Sequence, residues 1–285
     1  MDVARYRFSR ALRPFSLVVG VISCGLGVAL ALGHADGPLW AAALTLLAGL
    51  LAQSGVNLIN DHTDLGLLPT AGPGVARARR LIRRHYRIGL SLILAALLLS
   101  LPLVWHAGWP LLAVVLIGLL GALGYTVEPI NYKRRGLGVV LVFWLMGVLM
   151  VAGAYVAVTG RWDWIVLWRS LPVAALTSLL LLSNELRDWE SDREQGIQTL
   201  VVRLGYRRGR QLYLLLLSAS LLLPLLLVFQ GLLPHGWLML PALLLLPALV
   251  RLSRAAQEQR VQLTPLTGRF MALCGGLYIL ASLPF

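Results

Sequence analysis

Nine stretches of roughly 20 apolar residues, joined by more polar links, constrain this chain more than any other feature. They run 15–34, 39–58, 88–107, 109–127, 137–158, 164–184, 211–230, 235–252 and 268–285. A stretch of that length just crosses the hydrocarbon core of a bilayer, and only a helix satisfies its own backbone there. Mean hydropathy is +0.78, 58% of residues are hydrophobic and 13% are charged. A soluble domain of 285 residues needs more polar surface than that. The expectation is an all-α polytopic membrane protein, one domain over 1–285, with nine transmembrane helices. Pro110, Pro172, Pro224 and Pro241 fall within or at the ends of these stretches, where membrane helices tolerate them. The basic start leads into a first span with no small-residue cleavage site after it, and that span is expected to be retained. Cys24 and Cys274 both lie inside spans and read as small buried hydrophobes.

Basic residues set the orientation. Four arginines precede span 1, six lie at 77–87, Lys133 to Arg135 come after span 4, six lie at 187–210, and four surround the link before span 9. Of 25 basic residues only Arg161 and Arg169 fall on the alternate side, which leaves 23 on one side. The positive-inside rule makes that side cytoplasmic, at a bacterial-type inner (plasma) membrane, with the N-terminus inside and the C-terminus outside. Net charge is +13, and the lipid surface accounts for it; no nucleic-acid partner is expected.

Against that background the acids are unevenly placed. Seven of twelve sit in two short clusters. One reads Asn57-Leu-Ile-Asn60-Asp61-His62-Thr63-Asp64, and the other Asn184-Glu185-Leu-Arg187-Asp188-Trp189-Glu190-Ser191-Asp192-Arg193-Glu194. Both come after apolar runs on the basic side, and each opens with Asn and puts Asp four residues later. Residues three or four apart share a helix face. Asp188 and Asp192 should therefore point one way, with Gly196 continuing the line a turn later, and Asp61 and Asp64 likewise. Two such pairs facing each other across a bundle make an oxygen-rich cage suited to magnesium, which keeps positions for phosphate oxygens. Arg77, Arg79, Arg80, Lys133 and Arg187 lie near enough in sequence to bind the remaining oxygens of a diphosphate. The plain alternative is a set of solvated helix ends, with arginines placed by topology alone. It accounts for one Asp more easily than for two clusters.

These residues resemble the UbiA-type intramembrane prenyltransferases. Asn57-x-x-x-Asp61-x-x-Asp64 is similar to the family's first Asp-rich motif. Tyr125-Thr-Val-Glu-Pro129-Ile-Asn-Tyr132-Lys133-Arg-Arg-Gly136-Leu-Gly138 resembles its connecting loop. Asn184-Glu-Leu-Arg187-Asp188-x-x-x-Asp192-x-x-x-Gly196-Ile-Gln-Thr199-Leu-Val-Val-Arg203-Leu-Gly205 resembles the second Asp-rich motif and its tail, in the form of the 1,4-dihydroxy-2-naphthoate (menaquinone) branch. The resemblance implies nine helices around a central cavity with cytoplasmic cap loops. It also implies two magnesium ions bridging a polyprenyl diphosphate. Two departures stand out. No acid comes after Asp64 within Leu65-Gly66-Leu67-Leu68-Pro69-Thr70, where the family usually has a further Asp. Ile197 stands where the closest branch often has Lys.

The activity implied by the resemblance is a magnesium-dependent transfer of a polyprenyl group to an aromatic quinone precursor. Asp61, Asp64, Asp188 and Asp192 would hold the metal. Lys133, Arg77, Arg80 and Arg187 would bind the diphosphate. Asn57, Asn184 and Tyr125 would orient it or shelter the allylic cation. The acceptor is expected to be 1,4-dihydroxy-2-naphthoate, with 4-hydroxybenzoate, homogentisate, a tetrapyrrole or a glycerol lipid as alternatives. A non-catalytic prenyl-lipid or quinone binder and a transporter are rival readings. Against the transporter, span interiors are almost free of charge. Trp105, Trp109, Trp144, Trp189 and Tyr86 are candidate walls for an acceptor, although most tryptophans fit interface anchors better. His62 reads as a helix-end histidine.

Overall fold

A computed structural model describes residues 6–34, 37–126 and 132–284, without the side chains of Phe15, His34, Thr63, Asp64, Leu67, Tyr125, Thr126, Lys133 and Arg134. The described residues are helical throughout their ordered elements and contain no strand. The long elements are α1 (Pro14–His34), α2 (Leu39–Asn60), α3 (Val75–Ala107), α4 (Trp109–Thr126), α5 (Gly138–Thr159), α6 (Trp164–Arg187), α7 (Tyr206–Phe229), α8 (Gly236–Leu252) and α9 (Leu263–Ala281). Seven segments are long and apolar enough to cross a membrane: those built on α1, α2, α3, α5, α6, α7 and α9. The apolar helices Trp109–Gly124 and Gly236–Leu252 are shorter. The latter starts as a 3₁₀ helix over Gly236–Leu245 before relaxing to α over Leu246–Leu252.

Helix α6 is the central post. Val173 to Leu180 and Leu182 are buried without interruption of face. That is the signature of a helix surrounded by protein. It touches α7, α9, α5 and α1. Ser178 donates to the Val139 carbonyl of α5 at 2.9 Å, and Gly147 lies where any Cβ would strike the Ala174 backbone at 2.3 Å. Helices α2 and α3 pack hardest against each other. Their backbones meet at two glycines: a Cβ on Gly55 would lie 2.7 Å from the Gly89 carbonyl, and one on Gly89 would lie 2.8 Å from the Gly55 carbonyl. Small residues at such crossings let helices gain dispersion contacts that lipid cannot match. Large side chains face outward: Leu98, Leu120, Leu222 and Leu244 are all exposed.

The boundary that differs most from the sequence expectation is the start of α3; α7 and α9 each begin five residues early. Helix α3 begins at Val75, not near residue 88, so the arginines at 77–87 lie on a helix and not in a link. Its 33 residues span about 50 Å, well beyond the hydrocarbon. A hydropathy window sees only the arginines. The buried stripe Val75, Ala78, Ile82, His85 and Gly89 recurs at helical spacing and keeps the extension folded. Tyr6, Leu65 and Leu68 pack against that stripe.

Both acidic segments lie at one end of the bundle. Gly33 at the C-terminal end of α1 meets Pro284, and Gly37 just beyond meets Val158 near the end of α5. The links from α1 to α2 and from α5 to α6 therefore share one end. Helices α2 and α6 both run away from it, and their C-termini, Asn60 and Arg187, emerge at the other.

Candidate active site

At the end of α2 the chain tightens into a 3₁₀ helix over Asp61–Leu67. In that geometry residues i and i+3 eclipse, so positions 61 and 64 share a face more closely than on an α-helix. The Asp64 side chain lies outside the described residues. Asp61 is 6% exposed, and its Oδ1 accepts from Nη2 of Arg13 at 2.7 Å. Arg13 carries a φ of +48°, the one described non-glycine residue in the left-handed region. That backbone bend brings the guanidinium over the carboxylate, and Ser16 Oγ donates to the Arg13 carbonyl at 3.0 Å to fix it. Asn57, expected at the diphosphate, is committed locally: Nδ2 donates to the Leu12 carbonyl at 2.8 Å, and Oδ1 accepts from Gln53 at 3.3 Å. It ties the N-terminal segment to α2. His85 of α3 is 2% exposed beside Phe8, with Nδ1 unpartnered.

The second acidic segment breaks at Asp188. Its φ of −95° and ψ of 6° end α6 and start a short helix, Trp189–Glu194. The Asp192 amide still donates to the Asp188 carbonyl at 2.8 Å, which keeps the two aspartates one turn apart. Asn184 lies a turn earlier, its carbonyl accepting from the Asp188 amide at 2.9 Å. Gly196 does not extend the line of aspartates. The helix stops at Glu194, and Gly196 turns the chain at φ +70°. Arg187 clamps Asp188 through two bonds, Nε to Oδ1 at 2.8 Å and Nη2 to Oδ2 at 2.5 Å. A planar guanidinium matches a carboxylate in that way, and matches phosphate oxygens equally well.

The tail of this segment is anchored by a residue that sequence reasoning left without a role. Glu185 is 6% exposed on α6, and its Oε2 accepts from the Val201 amide at 3.1 Å. It thus caps the helix Leu200–Leu204, where the residue at the N-cap, Thr199, makes no side-chain cap. Arg203 reaches back over Gly136, where a Cβ would meet its Cδ at 2.6 Å, and donates to the Gln198 carbonyl at 3.2 Å. The described end of the connecting loop, at Gly136, therefore sits beside the tail of the second acidic segment. Lys133 and Tyr125 belong here by sequence, but their side chains lie outside the described residues. Burial pushes the Tyr132 phenol up to about 12, and its hydroxyl donates to the Gly121 carbonyl.

The remaining expected cations are arranged unevenly. Arg77 and Arg80 are exposed on α3, whereas Arg79 donates to the Pro69 carbonyl at 3.2 Å and so braces the link after Asp64. Trp105 and Trp109 are 92% and 78% exposed at the end away from the acids, and Trp144 is exposed too, which fits bilayer contact and not an acceptor wall. Trp189 and Tyr86 do lie at the acidic end. Trp189 packs on Tyr206 at 5.7 Å between centroids, and Tyr86 on His62 at 4.2 Å. Outside this cluster, Glu190 pairs with Arg260, which is 3% exposed and lies 4.6 Å over the Tyr206 ring. Arg13, Glu185, His85 and Arg260 were all missed because nothing distinguishes them by type from the topological arginines and helix-end polar residues around them.

Among the described residues no three His, Cys, Asp or Glu side chains form a metal-ligand group. The donor chemistry nonetheless suits a hard divalent ion. Asp61 and Asp188, one from each segment, each hold a guanidinium, the charge a metal or a metal-bound phosphate would otherwise meet.

The UbiA prenyltransferase family matches residues 20–273 of the chain. A 1,4-dihydroxy-2-naphthoate octaprenyltransferase of Escherichia coli is 31% identical over 265 residues, 87% of this chain and 84% of that one. One from Mycobacterium leprae is 33% identical over 192 residues, 64% of this chain; the matched part spans 63% of that protein's length. A UbiA homolog from Archaeoglobus fulgidus, solved with GPP and Mg2+, superposes with a TM-score of 0.60 over 95% of this chain and 99% of that one, at 16% identity.

Proposed function

The chain belongs to the UbiA prenyltransferase family, an integral membrane family, and from that premise we propose that it transfers a polyprenyl group from an allylic diphosphate to 1,4-dihydroxy-2-naphthoate or a closely related quinone precursor. The observation that carries this reading is the arrival of two acidic segments at one end of the bundle, Asp61 and Asp64 just after α2 and Asp188 and Asp192 just after α6, with Arg13 on Asp61 and Arg187 on Asp188. The naphthoate relatives support the acceptor, and the Archaeoglobus homolog's ligands support the donor and the ion. We take Trp109–Gly124 and Gly236–Leu252 to cross the membrane as well. The count of spans then becomes nine, and by the distribution of basic residues the acidic end is cytoplasmic.

In this mechanism Asp61, Asp64, Asp188 and Asp192 would hold two magnesium ions. Magnesium, when bound, neutralises the diphosphate and stabilises it as a leaving group. Arg13 and Arg187 would release or share their carboxylates and bind free phosphate oxygens, and Lys133 of the connecting loop would join them. The allylic C–O bond breaks, its electron pair leaves with pyrophosphate, and a nucleophilic ring carbon of the acceptor attacks the cation. With the naphthoate, the carboxylate leaves that carbon as carbon dioxide and restores the aromatic ring. Charge stabilisation of the departing pyrophosphate is the main catalytic contribution. The absent acid after Asp64 leaves the first segment with fewer anionic ligands than the family usually has, so the second segment bears more of the load.

The test is prenyl transfer by purified protein in detergent, with magnesium, a polyprenyl diphosphate and the naphthoate. Asp188→Asn and Asp192→Asn should each lower turnover by on the order of 100-fold. Unchanged turnover in both variants refutes the reading, and product with 4-hydroxybenzoate but not the naphthoate would reassign the acceptor.

A further inference from the structure

At the opposite end of α6 lies a second polar feature that the transfer reaction does not use. A cavity of about 210 Å³ opens among α1, α5, α6 and the link after α7, lined by Leu30, Tyr155, Asp163, Val166, Arg169 and Leu232. Arg169 lies 19 residues before Asp188, about 28 Å along the helix axis.

Arg169 is 8% exposed. One Nη donates to the Leu232 carbonyl at 2.6 Å, and Tyr278 fixes its backbone by donating to the Arg169 carbonyl at 2.7 Å. Its Nε has no partner, and no carboxylate pairs with it among the described residues. Asp163, which lines the same cavity, acts on it through space without reaching ion-pair distance, so this buried guanidinium keeps an open donor, and such a residue faces a partner or a polar cavity. The cavity therefore calls for an anion. Asp163 sits six residues nearer the surface, about 9 Å along the axis. Its Oδ1 accepts from the Ile165 amide at 2.9 Å as the cap of α6, and no other bond to its carboxylate is made among the described residues. The lining thus offers a positive charge deep and a negative charge shallow. Trp162, Trp164 and Trp168, exposed by 40%, 70% and 63%, mark this end as the bilayer interface.

We propose that this cavity binds the headgroup of an amino-phospholipid, its phosphate on Arg169 and its ammonium against Asp163. The order of charges matches such a lipid, whose phosphate lies nearer the acyl chains than its amine does. Leu30 and Val166 supply an apolar wall where the glycerol and acyl chains begin.

The test uses full-length protein, delipidated in detergent, with native mass spectrometry or thermal shift after adding phosphatidylethanolamine, phosphatidylglycerol or inorganic phosphate. Wild type should retain phosphatidylethanolamine in preference to the other two. Arg169→Met should weaken both lipids by about tenfold or more, the worth of one charge-assisted hydrogen bond. Asp163→Asn keeps an acceptor for the Ile165 amide and so preserves the helix start. It should erase the preference for phosphatidylethanolamine over phosphatidylglycerol without weakening the latter. An unchanged preference in Asp163→Asn overturns the proposal even if Arg169→Met fails to fold. Binding of inorganic phosphate as tight as that of lipid overturns the lipid assignment.

Discussion

The Glu190–Arg260 pair offers a quantitative test of how the second acidic segment is held. Glu190 lies on the short helix that carries Asp192, and Arg260 lies 70 residues later in the approach to α9. Arg260 is almost wholly buried, whereas the Glu190 side chain is 28% exposed. Removing one partner of a fully buried pair costs about 3–5 kcal/mol. Solvent at Glu190 reduces that, so we expect about 2–3 kcal/mol for Arg260→Met, including the lost cation–π contact with Tyr206. In a chain of this size that amounts to a fall in Tm of about 3–5 °C. Glu190→Gln should cost less, because its amide oxygen can still accept from the Arg260 guanidinium and the packing on Tyr206 is kept. The double variant decides the matter: if the two residues act as a pair, their effects fall short of additivity by about 1 kcal/mol or more. Thermal unfolding monitored by tryptophan fluorescence is the assay, since Trp189 packs in the same stack. The magnesium concentration for half-maximal prenyl transfer should rise in Arg260→Met, as the helix bearing Asp192 loosens. Additivity within about 0.5 kcal/mol would refute the lock.

Two further substitutions probe the frame around the site. Glu185→Ala strips the cap from Leu200–Leu204 and leaves the Val201 amide buried and unbonded; a loss of about 1–3 kcal/mol in unfolding measurements is expected, and wild-type stability would show that the cap is idle. Gly89→Ala sets a Cβ 2.8 Å from both the Gly55 carbonyl and Ile59, so α2 and α3 must part. Overpacking of this kind costs about 1–3 kcal/mol, and an unshifted Tm would mean that the two backbones do not touch at this crossing.

Sequence reveals those features whose governing force leaves a local trace. The spans were legible because lipid demands long apolar runs, and the end on which the acids gather comes from counting links between spans. The extension of α3 was not legible by hydropathy, since six arginines mask a buried stripe that only helical spacing reveals. The two short apolar helices show the opposite weakness: composition gives a span where the backbone has little length to spare. Within the site, the spacing of Asp188 and Asp192 survived because one backbone bond carries it, even though α6 ends just before them and a new helix starts at Trp189. Gly196 was misplaced for a related reason, as nothing in a four-residue period announces that the helix stops at Glu194 and that Gly196 takes a left-handed turn. Arg13, Glu185 and Arg260 could not be picked out at all. Each owes its place to a partner 16 to 70 residues away, Val201 for Glu185, Asp61 for Arg13 and Glu190 for Arg260. All three do the same physical work: they fix or neutralise the segments that carry the aspartates, so that four like charges can be gathered at one end of a bundle before any cation arrives. A chain that kept the aspartates and lost these three residues would still look like a member of the family by its motifs, yet it would have to spend binding energy on ordering the site.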